Sequence, residues 1–63
     1  MKQIFNTLES AKRHLKDKKY RYLENHSHRE DIFIMYKKGF KIVSITPFRQ
    51  NYEPTKYQIQ TIR

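Results

Sequence analysis

The 63-residue chain predicts an α+β fold in which one N-terminal helix packs on one face of a small, mostly antiparallel sheet of three to four strands. Three observations lead there. Leu8, Ala11 and Leu15 recur at spacings of three and four, the period of a helix with one narrow apolar stripe. Asp31 to Phe48, DIFIMYKKGFKIVSITPF, concentrates β-branched and aromatic residues around the chain's one glycine and reads as a β-hairpin. Lys56 to Ile62 sets Tyr57, Ile59 and Thr61 against Gln58, Gln60 and Ile62, the alternation of a strand with one solvated face. No repeat, low-complexity tract or linker interrupts the chain, so residues 1–63 read as a single small basic domain.

Taken in order, Met1 to Phe5 reads as a short first strand. Asn6-Thr7-Leu8-Glu9 then reads as a helix start, with Asn6 capping the first-turn amides and Glu9 reaching back three residues later. The helix runs to about Lys18, and Lys12, Arg13, Lys16, Lys18 and Lys19 crowd its remaining circumference toward the end where cations suit the helix dipole. Tyr20 to Asn25 reads as a strand with Tyr20 and Tyr22 on one face and Arg21 and Leu23 on the other. Asn25 to Glu30 is a polar loop leading into the hairpin.

Within the hairpin, Ile32 to Tyr36 and Phe40 to Ile45 are the strands, and Lys38-Gly39 is the expected two-residue turn, since glycine takes a positive φ without strain. That register pairs Lys37 with Phe40, Met35 with Ile42, Ile34 with Val43, Phe33 with Ser44 and Ile32 with Ile45. Ile32, Ile34, Val43 and Ile45 then share one face, and Phe33, Met35, Phe40 and Ile42 the other. Two apolar faces require two covers, or one cover and one partner. Leu8, Ala11 and Leu15 suit the aliphatic face, which leaves the Phe33 face for the chain's own last strand, a second copy or a target. Pro47 has no amide hydrogen and should end the ladder or lie where the strand is an edge. Gln50 to Pro54 reads as a connecting loop.

Composition narrows the function classes. A chain this short buries only about 60% of its unfolded surface, which excludes a large enclosed cavity. Hydrophobic residues are 37% and charged ones 32%, yet five tyrosines and four phenylalanines argue against disorder. Fourteen Lys and Arg against six Asp and Glu give a formal charge of +8, which favours polyanionic partners. Abundant Lys, Ile, Asn, Tyr and Phe also fit an AT-rich coding bias, as in phage or mobile-element accessory proteins. The absence of cysteine excludes disulfides and thiolate metal sites and fits a reducing compartment, the cytoplasm. No apolar run nears the roughly 18 residues of a membrane helix and no signal-peptide core is present, so a soluble, unprocessed chain with no membrane partner is expected.

His26-Ser27-His28, with Glu24, Glu30 and Asp31 nearby, is the one cluster with metal-ligand chemistry, but it lacks the ligand number and spacing of a zinc site, and no metal or cofactor is expected. The same histidines with Lys37, Lys38 or Arg49 outline a remote alternative, a small ribonuclease, with nothing in the spacing to position a base. The lone Gly39 excludes a glycine-rich phosphate loop. A non-enzymatic binding module is the expectation.

Cations interleaved with aromatics are the remaining pattern: Lys18-Lys19-Tyr20-Arg21-Tyr22, Tyr36-Lys37-Lys38-Gly39-Phe40-Lys41, and Phe48-Arg49 through Tyr52. The first reading is a module for nucleic acid, single-stranded or RNA. Lys37, Lys38 and Lys41 at the turn, with Arg13, Lys16, Lys19 and Arg21, would contact phosphates while Phe33, Tyr36 or Phe40 stack on bases. The second is a protein-binding regulator or inhibitor. There Phe33, Met35, Phe40 and Ile42 would anchor an acidic or nucleic-acid-handling protein, rimmed by Lys and Arg. Homodimerisation through the open sheet face fits either.

Overall fold

The computed structural model describes residues 3–29, 31–49 and 52–63. These form β1 (Gln3–Phe5), α1 (Leu8–Asp17), β2 (Arg21–Asn25), β3 (Ile34–Lys38), β4 (Lys41–Phe48) and β5 (Lys56–Thr61). The α+β class is the predicted one, but the sheet has five strands rather than three or four, in the order β1-β5-β4-β3-β2 with every pairing antiparallel. The count reaches five because β1, the short first strand expected over Met1 to Phe5, joins the sheet. Its three residues are too few to show a period, and it is defined by its pairing with β5, Gln3 to Ile59 and Phe5 to Tyr57. Met1 and Lys2 of the expected first strand, Glu30, and Gln50 and Asn51 of the expected loop lie outside the described residues.

Helix α1 starts one residue later than Asn6 would place it. Thr7 is the N-cap, extended at φ −133° and ψ 155°, and its hydroxyl oxygen accepts the Ser10 amide at 3.1 Å. Both residue types can cap, and Thr7 is the one whose oxygen reaches a first-turn donor. At the other end the Tyr20 amide donates to the Leu15 carbonyl at 2.9 Å and the Lys19 amide to Lys16 at 3.0 Å, while Lys19 sits at φ 70°. This is a Schellman closure with lysine where glycine is usual. It turns the chain sharply out of the helix, so that Tyr20 and Tyr22 come to lie beside α1.

The hairpin turn is Gly39-Phe40, not Lys38-Gly39. Lys38 pairs with Lys41, Lys37 with Ile42, Tyr36 with Val43, Met35 with Ser44 and Ile34 with Ile45. Gly39 at φ 62° occupies the first loop position, where a type II′ turn demands glycine. The slide moves every partner by two residues, and an even shift preserves the alternation of faces. Ile34, Val43 and Ile45 therefore still share the core face, whereas Phe40 leaves its predicted place on the opposite face and becomes a turn residue 99% exposed. Nothing lies within 4 Å of a Cβ added at Gly39, so Gly39→Ala tests backbone strain alone. A loss of about 1 kcal/mol in urea melts is expected, and an unchanged midpoint would mean that the turn does not hold a positive φ there.

Ala11, Leu15, Val43, Ile45 and Ile59 form the core, with Phe5, Leu8, Tyr20, Tyr36 and Tyr57 packed around it. The apolar stripe of α1 meets Val43 and Ile45 of the predicted aliphatic face, whereas Ile32 lies outside β3 and Ile34, though buried, is not part of this cluster. Ile59 joins it because β5 is an interior strand, between β1 and β4. β4 continues through Pro47, which pairs with Tyr57, but β3 accompanies β4 only from Ile45 toward the turn, so at Pro47 the strand has a ladder neighbour on one side. The missing amide is tolerated there, as for a proline on an edge. β2, the outer strand, is exposed along its length and carries a register shift between Tyr22 and Glu24. Tyr20, which precedes the strand, and Tyr22 share one side as expected, and the alternation is interrupted after them, where Leu23 is the extra residue of a bulge. No helix among the described residues is long and apolar enough to cross a membrane.

Candidate functional site

Because α1 packs chiefly over β1 and β5, it sits toward one end of the sheet. The β3 and β2 end of the same face lies beside the helix instead of beneath it, and the step between them is a groove of about 540 Å³. Its helix wall carries Glu9, Ser10, Lys12, Arg13 and Lys16, and its sheet wall Tyr20, Tyr22 and Tyr36. Residues 9, 12, 13 and 16 are spaced to share one side of a helix, next to the stripe that buries Ala11 and Leu15. His14, on the other flank, packs its ring 5.1 Å from that of Phe5 on β1. One helix thus divides its circumference into a core stripe, a β1 flank and a cationic flank above the tyrosines.

Each tyrosine is placed by a local cause. Tyr22 and Tyr36 are register partners across β2 and β3, and their rings meet edge to face at 6.0 Å and 88°. Tyr22 is 61% exposed and presents much of its ring to the groove. Burial, together with Tyr22 beside it, holds the Tyr36 phenol above its ordinary range, so Tyr36 stays a neutral hydroxyl at physiological pH and adds no negative charge to the groove. The Lys38 ammonium lies 5.7 Å from the centroid of the Tyr20 ring. A second cleft of about 420 Å³ is lined by Lys19, Arg21, Tyr22, Leu23, Lys37, Lys38 and Gly39. Tyr22 lines both, so the cations of the helix and of the hairpin end flank one aromatic surface.

The structure sorts the predicted residues into four places. Arg13, Lys16 and Tyr36 line the groove, and Lys19, Arg21, Lys37 and Lys38 line the adjoining cleft. Phe40 belongs to the turn, and Lys41 opens β4 beside it. Phe33, Met35 and Ile42 lie by alternation on the far side of the sheet, the side that Lys37, paired with Ile42, and Arg21, paired with Lys37, also share. Lys12, Tyr20 and Tyr22 complete the site without having been predicted as binding residues. Their signal was the helical spacing of Lys12 with Arg13 and Lys16, and the Lys-Tyr-Arg-Tyr run directly after the helix.

On the far face the expected apolar patch is interrupted. Ser44, Thr46, Gln58 and Gln60 occupy its middle strands, with Ser44 opposite Gln60 and Thr46 opposite Gln58. Ser44 is buried, and Thr46 Oγ1 and Gln58 Oε1 are buried without a hydrogen-bond partner among the described residues. Phe33, Met35 and Ile42 form a smaller apolar strip beside this polar centre.

The histidine loop is held by its own contacts. His26 Nε2 lies 2.6 Å from Glu24 Oε2, its ring packs on Phe33, and its amide donates to the Phe33 carbonyl. His28 exchanges backbone hydrogen bonds with Asp31 across Arg29, which sits at φ 55°. No group of three or more His, Cys, Asp or Glu side chains converges among the described residues. No family model matches the chain, and no curated protein and no solved structure matches it.

Proposed function

We propose that this protein is a non-enzymatic module that binds single-stranded nucleic acid in the groove between α1 and the β2-β3 end of the sheet. The observation that carries the reading is the pairing of walls. Lys12, Arg13 and Lys16 stand along one side and Tyr20, Tyr22 and Tyr36 along the other, with Lys19, Arg21, Lys37 and Lys38 continuing the positive surface beyond Tyr22. Cations at helical spacing meet phosphates, and the exposed ring of Tyr22, backed by the half-buried Tyr20 and Tyr36, stacks on an unpaired base whatever its identity. In a duplex the base faces are already stacked, so the tyrosine wall favours single strands or RNA loops over paired DNA. The overall charge of +8 adds long-range attraction to the same ligand.

Docking of a protein target on the far face has less support. Phe33, Met35 and Ile42 remain there, but Phe40 does not join them and Ser44, Thr46, Gln58 and Gln60 place polar groups where a hydrophobic anchor would sit. The groove reading is tested by fluorescence anisotropy with labelled single strands and the matching duplex. Tyr22→Ala is expected to weaken single-strand binding by about 1–3 kcal/mol, the worth of one stacked base, and to leave the weaker duplex binding nearly unchanged. Equal losses on both ligands would remove stacking from the account. No binding of single strands by the parent protein would refute the function.

A further inference from the structure

Among the described residues lining the groove, Glu9 is the one acid, beside Ser10, three cations and three tyrosines. At positions three and four beyond it stand Lys12 and Arg13, the neighbours with which a helical glutamate pairs most readily. It makes no ion pair with either; the ion pair among the described residues is His26 with Glu24. Glu9 is exposed in the first turn of α1, where its charge also suits the helix dipole. The side chain therefore presents its two carboxyl oxygens to the same space that Tyr22 and Tyr36 bound.

We infer that Glu9 makes the groove selective for guanine within a single strand. This rests on the nucleic-acid reading of the groove and names the base that it takes. A base stacked on tyrosine turns its Watson–Crick edge outward. Guanine offers two adjacent donors there, N1–H and the 2-amino group, which match the two oxygens of one carboxylate. Adenine and cytosine set one amino group beside a ring-nitrogen lone pair, and thymine and uracil flank their single N–H with two carbonyl oxygens. Each of these directs a lone pair at the carboxylate and is disfavoured. Phosphates on either side of the stacked guanine then fall to Lys12, Arg13 and Lys16, so that affinity comes from the cations and base preference from Glu9.

The experiment compares, by anisotropy, a thymidine-only strand of about eight nucleotides with the same strand carrying central guanines. The parent protein is expected to bind the guanine strand roughly 5- to 150-fold more tightly, the discrimination that a bidentate base contact supplies. Inosine in place of guanine, which removes the 2-amino donor, should abolish most of that preference. Glu9→Gln should bring the guanine and thymidine strands to equal affinity, while circular dichroism shows an intact fold. A purely structural role for Glu9 would instead lower the melting temperature and leave the base preference in place, overturning the inference. Equal affinities of the parent for the two strands would also overturn it, with the groove still a single-strand site. No binding of either strand would overturn both. Guanosine monophosphate is the competitor that separates sources, and displacement of the labelled strand by it at strand-like concentrations would assign the pocket to a free nucleotide and overturn the strand as ligand.

Discussion

Ile45→Ala is expected to remove about 2–5 kcal/mol of stability, the cost of deleting a fully buried aliphatic side chain and leaving a cavity. Ile45 is 0% exposed, faces Ile34 on β3 and Ile59 on β5, and lies in the core with Ala11 and Leu15 of α1. For a domain of this length total stability is on the order of 3–9 kcal/mol, at roughly 0.05–0.15 kcal/mol per residue, so the loss is a large part of the whole. The core is thin because one helix covers one sheet face, and no second layer exists among the described residues to take up the strain. Urea melts monitored by circular dichroism measure the effect. Phe40→Ala is the matching control, because a side chain 99% exposed at the turn should change the midpoint very little. Comparable losses in the two variants would contradict the observed register.

Replacing Lys12, Arg13 and Lys16 together with Gln is expected to flatten the slope of log affinity against log salt for a single-stranded ligand by about two units. Each phosphate that a cation neutralises on a single strand adds about 0.7 to that slope, and three cations are removed. The comparison variant replaces Lys37, Lys38 and Lys41, which takes the same charge from the parent's +8 but draws on the turn and the adjoining cleft. A difference between the two triple variants reports position rather than net charge. The helix variant should show the larger change, because its cations stand directly across the groove from Tyr20, Tyr22 and Tyr36. If the turn variant alone changes the slope, the phosphate path runs over the hairpin end and the groove is not the principal site.

How much of the fold and the site is legible in the sequence follows from the range of the interactions involved. The helix over Leu8 to Asp17, its apolar stripe, the hairpin about Gly39 and the face shared by Ile34, Val43 and Ile45 are written in side-chain periods and turn chemistry spanning a few residues. The hairpin register differs from the expected one by two residues because the number of loop residues before and after a glycine is decided by turn geometry, which Lys37 and Lys38 do not signal. The faces are unaffected since an even slide keeps the alternation. The cationic and aromatic residues are also visible, as runs in the chain, but which of them meet is not.

That meeting depends on long-range packing. By itself the sequence determined the α+β class, the helix, the aliphatic core face and the basic-aromatic character of the chain, all consequences of local period and composition. Only the tertiary structure decided that β1 pairs with β5, that β5 lies inside the sheet and β2 at its edge, and that α1 therefore settles over the β1 end. The helix buries its apolar stripe where Ile59, Val43 and Ile45 lie together, a set brought from β4 and β5, far from α1 in the sequence. The uncovered step at β3 and β2, where Lys12, Arg13 and Lys16 face three tyrosines, exists because one ten-residue helix is narrower than a five-stranded sheet.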